Sequence, residues 1–131
     1  MNELLTLDFD QADILGHLQA VDAAKLDTLE FGVIGFDAQT IVRRYNAYES
    51  RMTGMSPQRV LGQPLFTAVA PCMNNFMVAQ RFFDAAAESL PLDAKLDYVF
   101  TLRMRPAKVK LRLLAMPGTE LRYVLVNRPG L

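Results

Sequence analysis

The chain has 131 residues, 51% of them hydrophobic, which suits one globular domain with its own core and excludes a disordered chain. Lys plus Arg number 14 and Asp plus Glu number 14, so no whole-molecule field draws the chain to nucleic acid or to an acidic membrane. One cysteine excludes an internal disulfide, no apolar run approaches the ~18 residues of a spanning helix, and the acidic start MNELLTLDFDQAD is unlike a signal peptide.

In chain order, Asp10 is placed to cap a first helix, in which Ile14, Leu15, Leu18 and Val21 recur at helical spacing. Phe31 to Phe36 reads as a strand, Asp37 to Thr40 as a turn and Ile41 to Tyr45 as a second strand, so the pair predicts a hairpin. Asn46 to Thr53 predicts one or two helical turns before Gly54. Ser56-Pro57 starts another short helix, which Gly62 and Pro64 stop. The longest helical pattern is Phe76 to Leu90, with Phe76, Ala79, Phe82, Phe83, Ala86 and Leu90 as its apolar stripe and Pro91 as its end.

Three strands follow. Leu96, Tyr98, Phe100, Leu102 and Met104 alternate with Lys95, Asp97, Val99, Thr101 and Arg103. Val109, Leu111 and Leu113 alternate with Lys108, Lys110 and Arg112. After the Pro117-Gly118 turn, Leu121 to Asn127 forms the last strand. No helix separates these strands, so they should be antiparallel neighbours. The expected fold class is α+β: a central antiparallel sheet of about five strands flanked by helices, in the PAS order of elements, with Leu96, Tyr98, Phe100, Leu111, Leu113 and Phe82 buried. Short helices against the sheet leave a hollow in which a ligand could sit.

Ordinary enzyme chemistry finds little support. His17 is a lone histidine on the first helix, where it reads as a surface side chain and not as part of a triad. There is no Cys/His cluster for a metal, and Gly32-x-x-Gly35 lacks the lysine of a phosphate loop. Arg103, Arg105, Lys108, Lys110 and Arg112 read as a solvated sheet face that discourages edge pairing.

Two stretches carry more information: RYNAYESRMTG, residues 44 to 54, and VAPC, residues 69 to 72. Tyr45, Glu49 and Thr53 lie at i, i+4 and i+8 and so share one helical face. Pointing outward, they make a polar face. Pointing inward, a phenol, a carboxyl and a hydroxyl converge on the hollow and could hold a buried oxyanion, provided the carboxyl keeps its proton; burial favours that. Cys72 just before the long helix is either a small buried hydrophobe or a thiol whose ionised form is stabilised by the helix N-terminus.

Over nearly its whole length the chain resembles the photoactive yellow proteins. The matching pieces are LDTLEFGVIGFD, RYNA with Glu49, Thr53-Gly54, Pro57 to Gly62 as P-x-x-V-x-G, VAPC, Arg81-Phe82, Tyr98-x-Phe100 and the run Pro106 to Lys110. The resemblance implies a blue-light photoreceptor carrying 4-hydroxycinnamic acid (p-coumaric acid) as a covalent thioester on Cys72. It implies a phenolate held by Tyr45 and protonated Glu49 with Thr53 in support, and a pocket that includes Met55, Phe100 and Met104. Signalling would run through trans-cis isomerisation, proton transfer from Glu49 and partial unfolding. The family's arginine two residues after the threonine is Met55 here, with Arg51 nearby. Tyr48 and Ser50 replace small neighbours of the glutamic acid, and the tyrosine before Met104 is Leu102.

The expected organisation is one domain over 1–131, with an N-terminal helical cap at 1–28 and a PAS core at 29–128. The expected location is the cytoplasm. The expected partner is a separate downstream signalling protein, with no nucleic acid and no membrane, and the chain a monomer or weak dimer. Two other readings compete: a chromophore-free PAS module for ligand sensing or protein interaction, and a thiol redox sensor using Cys72.

Overall fold

A computed structural model describes residues 7–101 and 106–129. Five strands form one sheet in the order β2-β1-β5-β4-β3, every neighbouring pair antiparallel: β1 Gly32–Phe36, β2 Val42–Tyr45, β3 Leu92–Phe100, β4 Ala107–Ala115 and β5 Arg122–Asn127. The first hairpin stands where the apolar run and turn put it, and the three-strand run follows the expected order, with β3 beginning earlier than its alternation suggested, at Leu92. Leu102, Arg103, Met104 and Arg105, expected at the end of β3 and in the basic cluster, lie outside the described residues. Tyr98, Phe100, Leu111, Leu113 and Phe82 are buried; Leu96 is only partly covered, because β3 is an edge strand.

Both faces of the sheet are covered. On one, α3 (Ala47–Thr53), α4 (Pro57–Val60), a π-type turn at Leu65–Val69, a 3-10 turn at Pro71–Met73 and α5 (Ala79–Ala87) enclose the main core. Phe82 of α5 meets Phe36 edge-to-face at 4.9 Å and anchors that helix.

The other face, expected to be basic and wet, carries a second core. Leu7, Phe9, the helix α1 (Ile14–Ala20), Leu26 of α2 (Ala23–Leu26), and Leu29 pack on Val33, Leu114, Tyr123 and Leu125. Arg112, read as part of a solvated face, is therefore buried, at 2% exposure. Its guanidinium donates to the carbonyls of Phe9 (2.9 Å) and Gln11 (2.7 Å) and pairs at two points with Asp93, at 2.9 and 2.8 Å. The alternation correctly gave Arg112 the face opposite Leu111 and Leu113. Only the returning N-terminal segment made that face an interior one. Arg44 supports the same docking by donating to the carbonyls of Leu18 (2.7 Å) and Val21 (2.5 Å).

The expected helix over Phe76 to Leu90 is shorter. The Asn75 side chain accepts from the backbone N–H of Met77 (3.0 Å) and Val78 (3.2 Å), holding a local turn in place of the first helical turn. Helix α5 thus begins at Ala79, and of the expected stripe only Ala79 and Phe82 are buried; Phe76 is 78% exposed. Among the described residues, no helix is long and apolar enough to cross a membrane.

Candidate functional site

Strand β2 ends at Tyr45, and Asn46 then caps α3. The Asn46 carbonyl oxygen accepts from the N–H of Glu49 (3.2 Å) and Val33 (3.0 Å), while its amide donates to the carbonyls of Leu26 (2.9 Å) and Phe31 (3.0 Å). This fully partnered, buried side chain fixes the start of α3 against β1 and aims Glu49 inward. Thr53 follows one turn later on the same face. Gly54 takes the left-handed conformation (φ 77°) that ends the helix, and Met55 folds back against the core. Tyr45 belongs to the strand and not to the helix, but it stands beside the same face.

Tyr45, Glu49, Thr53, Met55, Cys72 and Phe100 all line one internal cavity between the sheet and the short helices. Met104, also expected there, lies outside the described residues. The Tyr45 hydroxyl is 2.7 Å from Thr53 Oγ1. Thr53 donates its only proton to the Glu49 carbonyl (3.0 Å), so Tyr45 donates to Thr53. Burial first, and then the Glu49 charge, push the Tyr45 phenol up to about 12, against the Thr53 hydrogen bond and the Arg128 charge.

Cys72 does not sit at a helix N-terminus. It lies in the 3-10 turn, with the Asn75 turn between it and α5, and is half-buried. Burial pushes its thiol above the ordinary value, with a backbone hydrogen bond from Thr101 working the other way; the expected stabilisation of the thiolate by a helix end is absent. The Cys72 carbonyl is held by the Tyr98 hydroxyl (2.6 Å) and the Asn75 amide (3.3 Å), which fixes the turn that carries the thiol.

The Glu49 carboxyl, expected to face the hollow, lines the cavity and also meets Arg128. Nη1 is 2.8 Å from Oε1 and Nη2 3.0 Å from Oε2, in the two-point geometry of a guanidinium on a carboxylate. Burial works against the Arg128 charge, and the Glu49 pairing outweighs it and raises the Arg128 pKa. The Arg128 guanidinium also lies over the rings of Tyr48 and Phe100, 5.8 Å from each centroid. Tyr48 is thus stacked on a cation and does not line the cavity, and Arg51 is exposed beside its ring.

Hydroxyls, a carboxyl and a thiol line the one cavity, a donor set that suits a hydroxyaryl acyl group. The cavity itself measures about 10 Å³, roughly room for one water, so a bound group requires the flexible Met55 and its neighbours to give way. Cys72 also borders an open groove of about 850 Å³ with Asn75, Tyr98, Thr101 and Lys108.

No protein-family model matches the chain. A photoactive yellow protein of Rhodothalassium salexigens is 34% identical to it over 122 residues, covering 93% of this chain and 97% of the relative. The chain belongs to the photoactive yellow protein family. Its fold agrees with the crystal structure of the photoactive yellow protein domain of the sensor histidine kinase Ppr from Rhodospirillum centenum, with a TM-score of 0.78 at 35% identity over 86% of this chain and 97% of that one. The PAS domain of a Colwellia psychrerythraea protein, 15% identical with a TM-score of 0.59 over 88% of this chain and 96% of that one, shares the fold alone. Membership of the photoactive yellow protein family makes this a PAS domain with a sensory role.

Arg128 and Gly32 escaped sequence reasoning as parts of the site. Nothing local marks Arg128, which follows the last strand 79 residues after Glu49. Gly32 had a usable signal: a glycine inside an apolar strand marks close approach by another group. Here a Cβ on Gly32 would overlap Glu49 Oε1 and come within 3.2 Å of the Val126 Cβ. Gly32→Ala is expected to expel the Glu49 carboxyl from its place and to lower stability by about 1–3 kcal/mol, the usual cost of overpacking. Chemical denaturation of the two proteins measures it, and an unchanged midpoint would show that Glu49 shifts freely.

Proposed function

We propose that this chain is a blue-light receptor that carries a 4-hydroxycinnamoyl group as a thioester on Cys72. The observation that carries the reading is the convergence of the Cys72 thiol and the Tyr45, Glu49 and Thr53 side chains on one cavity, in a chain of the photoactive yellow protein family. When bound, the group supplies visible absorption and a double bond that light turns from trans to cis.

The protein's own residues supply the rest. Cys72 Sγ attacks an activated acyl donor from the open groove; the sulfur–carbonyl bond forms, the donor's leaving group departs and takes up the thiol proton. Tyr45 turns its hydroxyl from Thr53 to the phenolate oxygen, and Thr53 keeps that hydroxyl in place. Glu49 holds a proton on its carboxyl for the same oxygen. Two such charge-stabilising hydrogen bonds, at roughly 1.5–3 kcal/mol each, lower a phenol pKa by about two to four units. Light-driven loss of the Glu49 proton leaves a buried carboxylate, and relief of the part of its cost that Arg128 does not offset opens the structure. The N-terminal cap, residues 1–28 in this reading, is the first part to move from a PAS core of 29–128, and a downstream signalling protein reads the change. Met55 and Phe100 complete the pocket wall, and the family resemblance assigns Met104, outside the described residues, to the same pocket.

The closed cavity favours a second reading, a PAS sensor without chromophore. The raised thiol weighs against a redox sensor, which needs an ionised sulfur. Incubation of the folded chain with an activated 4-hydroxycinnamoyl thioester decides. The expected result is a mass gain of one acyl group and a yellow band that bleaches under blue light. A folded chain that gains neither mass nor colour leaves the second reading.

A further inference from the structure

Arg128 is the one component of the site that the reading above leaves without a task. Its side chain is 9% exposed and that of Glu49 2%, so a cation and an anion are both withdrawn from water here. Such a pair costs several kcal/mol of desolvation per ion unless its geometry is good. Here it is good: two parallel hydrogen bonds of 2.8 and 3.0 Å, with Tyr48 and Phe100 rings against the guanidinium. Among the described residues, the ionisable groups facing Glu49 and Arg128 are Tyr45 from β2, Tyr48 and Arg51 from α3, and Cys72 from the 3-10 turn. Met55, on the cavity wall, brings no charge. The buried site is therefore neutral as it stands, one guanidinium against one carboxylate.

Adding a second anion would break that balance. A carboxylate cannot donate a hydrogen bond to a phenolate, and two buried anions against one cation are unfavourable. The balance is kept if the entering phenol passes its own proton to the released Glu49 carboxylate: one negative charge then moves from Glu49 to the phenolate oxygen, and none is added. Return of the proton from Glu49 to that oxygen restores the original pair. Arginine stays protonated throughout, so it can serve only as the fixed positive charge.

We propose that Arg128 is a positioning residue and the shared counter-ion of the site, pairing with the Glu49 carboxylate when Glu49 has lost its proton and balancing the phenolate when Glu49 holds it. This rests on the chromophore reading for its second half only; the first half concerns the chain without chromophore. The carboxylate formed after proton loss is then partly compensated in place, which limits how far the structure opens.

Infrared spectra of the full chain without chromophore test the first half. Wild type and Glu49→Gln are expected to show the same buried carboxylic-acid region, whereas Arg128→Met is expected to gain an acid carbonyl band that the double variant Arg128→Met/Glu49→Gln loses. An acid band in wild type that Glu49→Gln removes would overturn the proposal. If Arg128→Met does not fold, the comparison of wild type with Glu49→Gln decides alone, in either direction. In the loaded chain, Arg128→Met is expected to raise the titration midpoint of the yellow band by about 1–3 units, the usual effect of losing a nearby opposite charge, while Arg128→Lys retains most of the wild-type value. A folded, loaded Arg128→Met with the wild-type midpoint would overturn the counter-ion role. A chain that never loads ends the chromophore reading, and the infrared comparison still decides the pairing.

Discussion

Cys72→Ser is expected to abolish covalent loading outright. Cys72 is the chain's single cysteine, and the other hydroxyl nucleophiles of the cavity are poor substitutes. The Tyr45 phenol is pushed up to about 12 and donates to Thr53, whose own proton is held by the Glu49 carbonyl. Among the described residues no side-chain base hydrogen-bonds the side chain at position 72, so a serine hydroxyl there would not be activated. Intact mass after incubation with the activated acyl donor reads the result: one acyl group on wild type, none on the variant. Persistent loading of Cys72→Ser would exclude the thiol as the attachment point. The wild-type rate carries a second signature. Burial raises the Cys72 thiol, so its thiolate fraction at neutral pH lies below that of an exposed cysteine. Loading should therefore accelerate as pH rises toward and past the ordinary thiol value of 9.0, until the raised folded value is passed.

Arg112→Met should loosen the whole N-terminal segment while leaving the cavity intact. Arg112 is 2% exposed, and its guanidinium satisfies the carbonyls of Phe9 and Gln11 as well as Asp93. Removing one partner of a fully buried pair costs about 3–5 kcal/mol. Asp93 is half exposed, at 49%, and can be rehydrated, so a loss of about 2–3 kcal/mol is expected, or a fall of roughly 10 °C in Tm. Thermal unfolding measures the loss, and hydrogen exchange in residues 7–31 locates it. A loss below about 0.5 kcal/mol would mean that the apolar contacts of Phe9, Ile14 and Leu18 hold the segment by themselves. The pH dependence has a definite sign. The Arg112 hydrogen bonds hold the Asp93 carboxyl below its usual range, against the opposing effect of burial. A depressed folded value means that this contribution is fully present above about pH 4, the unfolded value, and is lost as pH falls through the folded one. Wild type should lose this part of its stability in acid, and Arg112→Met should lack that step.

Much of the fold was legible because it is written in short-range patterns. The period-two alternation around Tyr98, Phe100, Leu111 and Leu113 reports which face of a strand is apolar, and those residues are buried. The RYNAYESRMTG and VAPC stretches marked Tyr45, Glu49, Thr53 and Cys72; α3 returns Glu49 and Thr53 to one face that the Asn46 cap orients, and Tyr45 at the end of β2 and Cys72 in the 3-10 turn line the same cavity. Local patterns have limits even at short range: Asn75 shortened the expected helix, since one side-chain oxygen capturing two N–H groups outweighs an apolar stripe.

By itself the sequence determined the strand faces, the order of the elements and the residue types of the site. What covers each face, and which charges meet, only the tertiary structure decided. Alternation put Arg112 opposite Leu111 and Leu113, but it became interior only when residues 7–31 returned over that face. Glu49 and Arg128 meet because the order β2-β1-β5-β4-β3 sets the end of β5 beside β1, against which α3 is held. The choice between an unpaired acid and a paired carboxylate turns on a contact 79 residues long, and periodicity carries no information at that range.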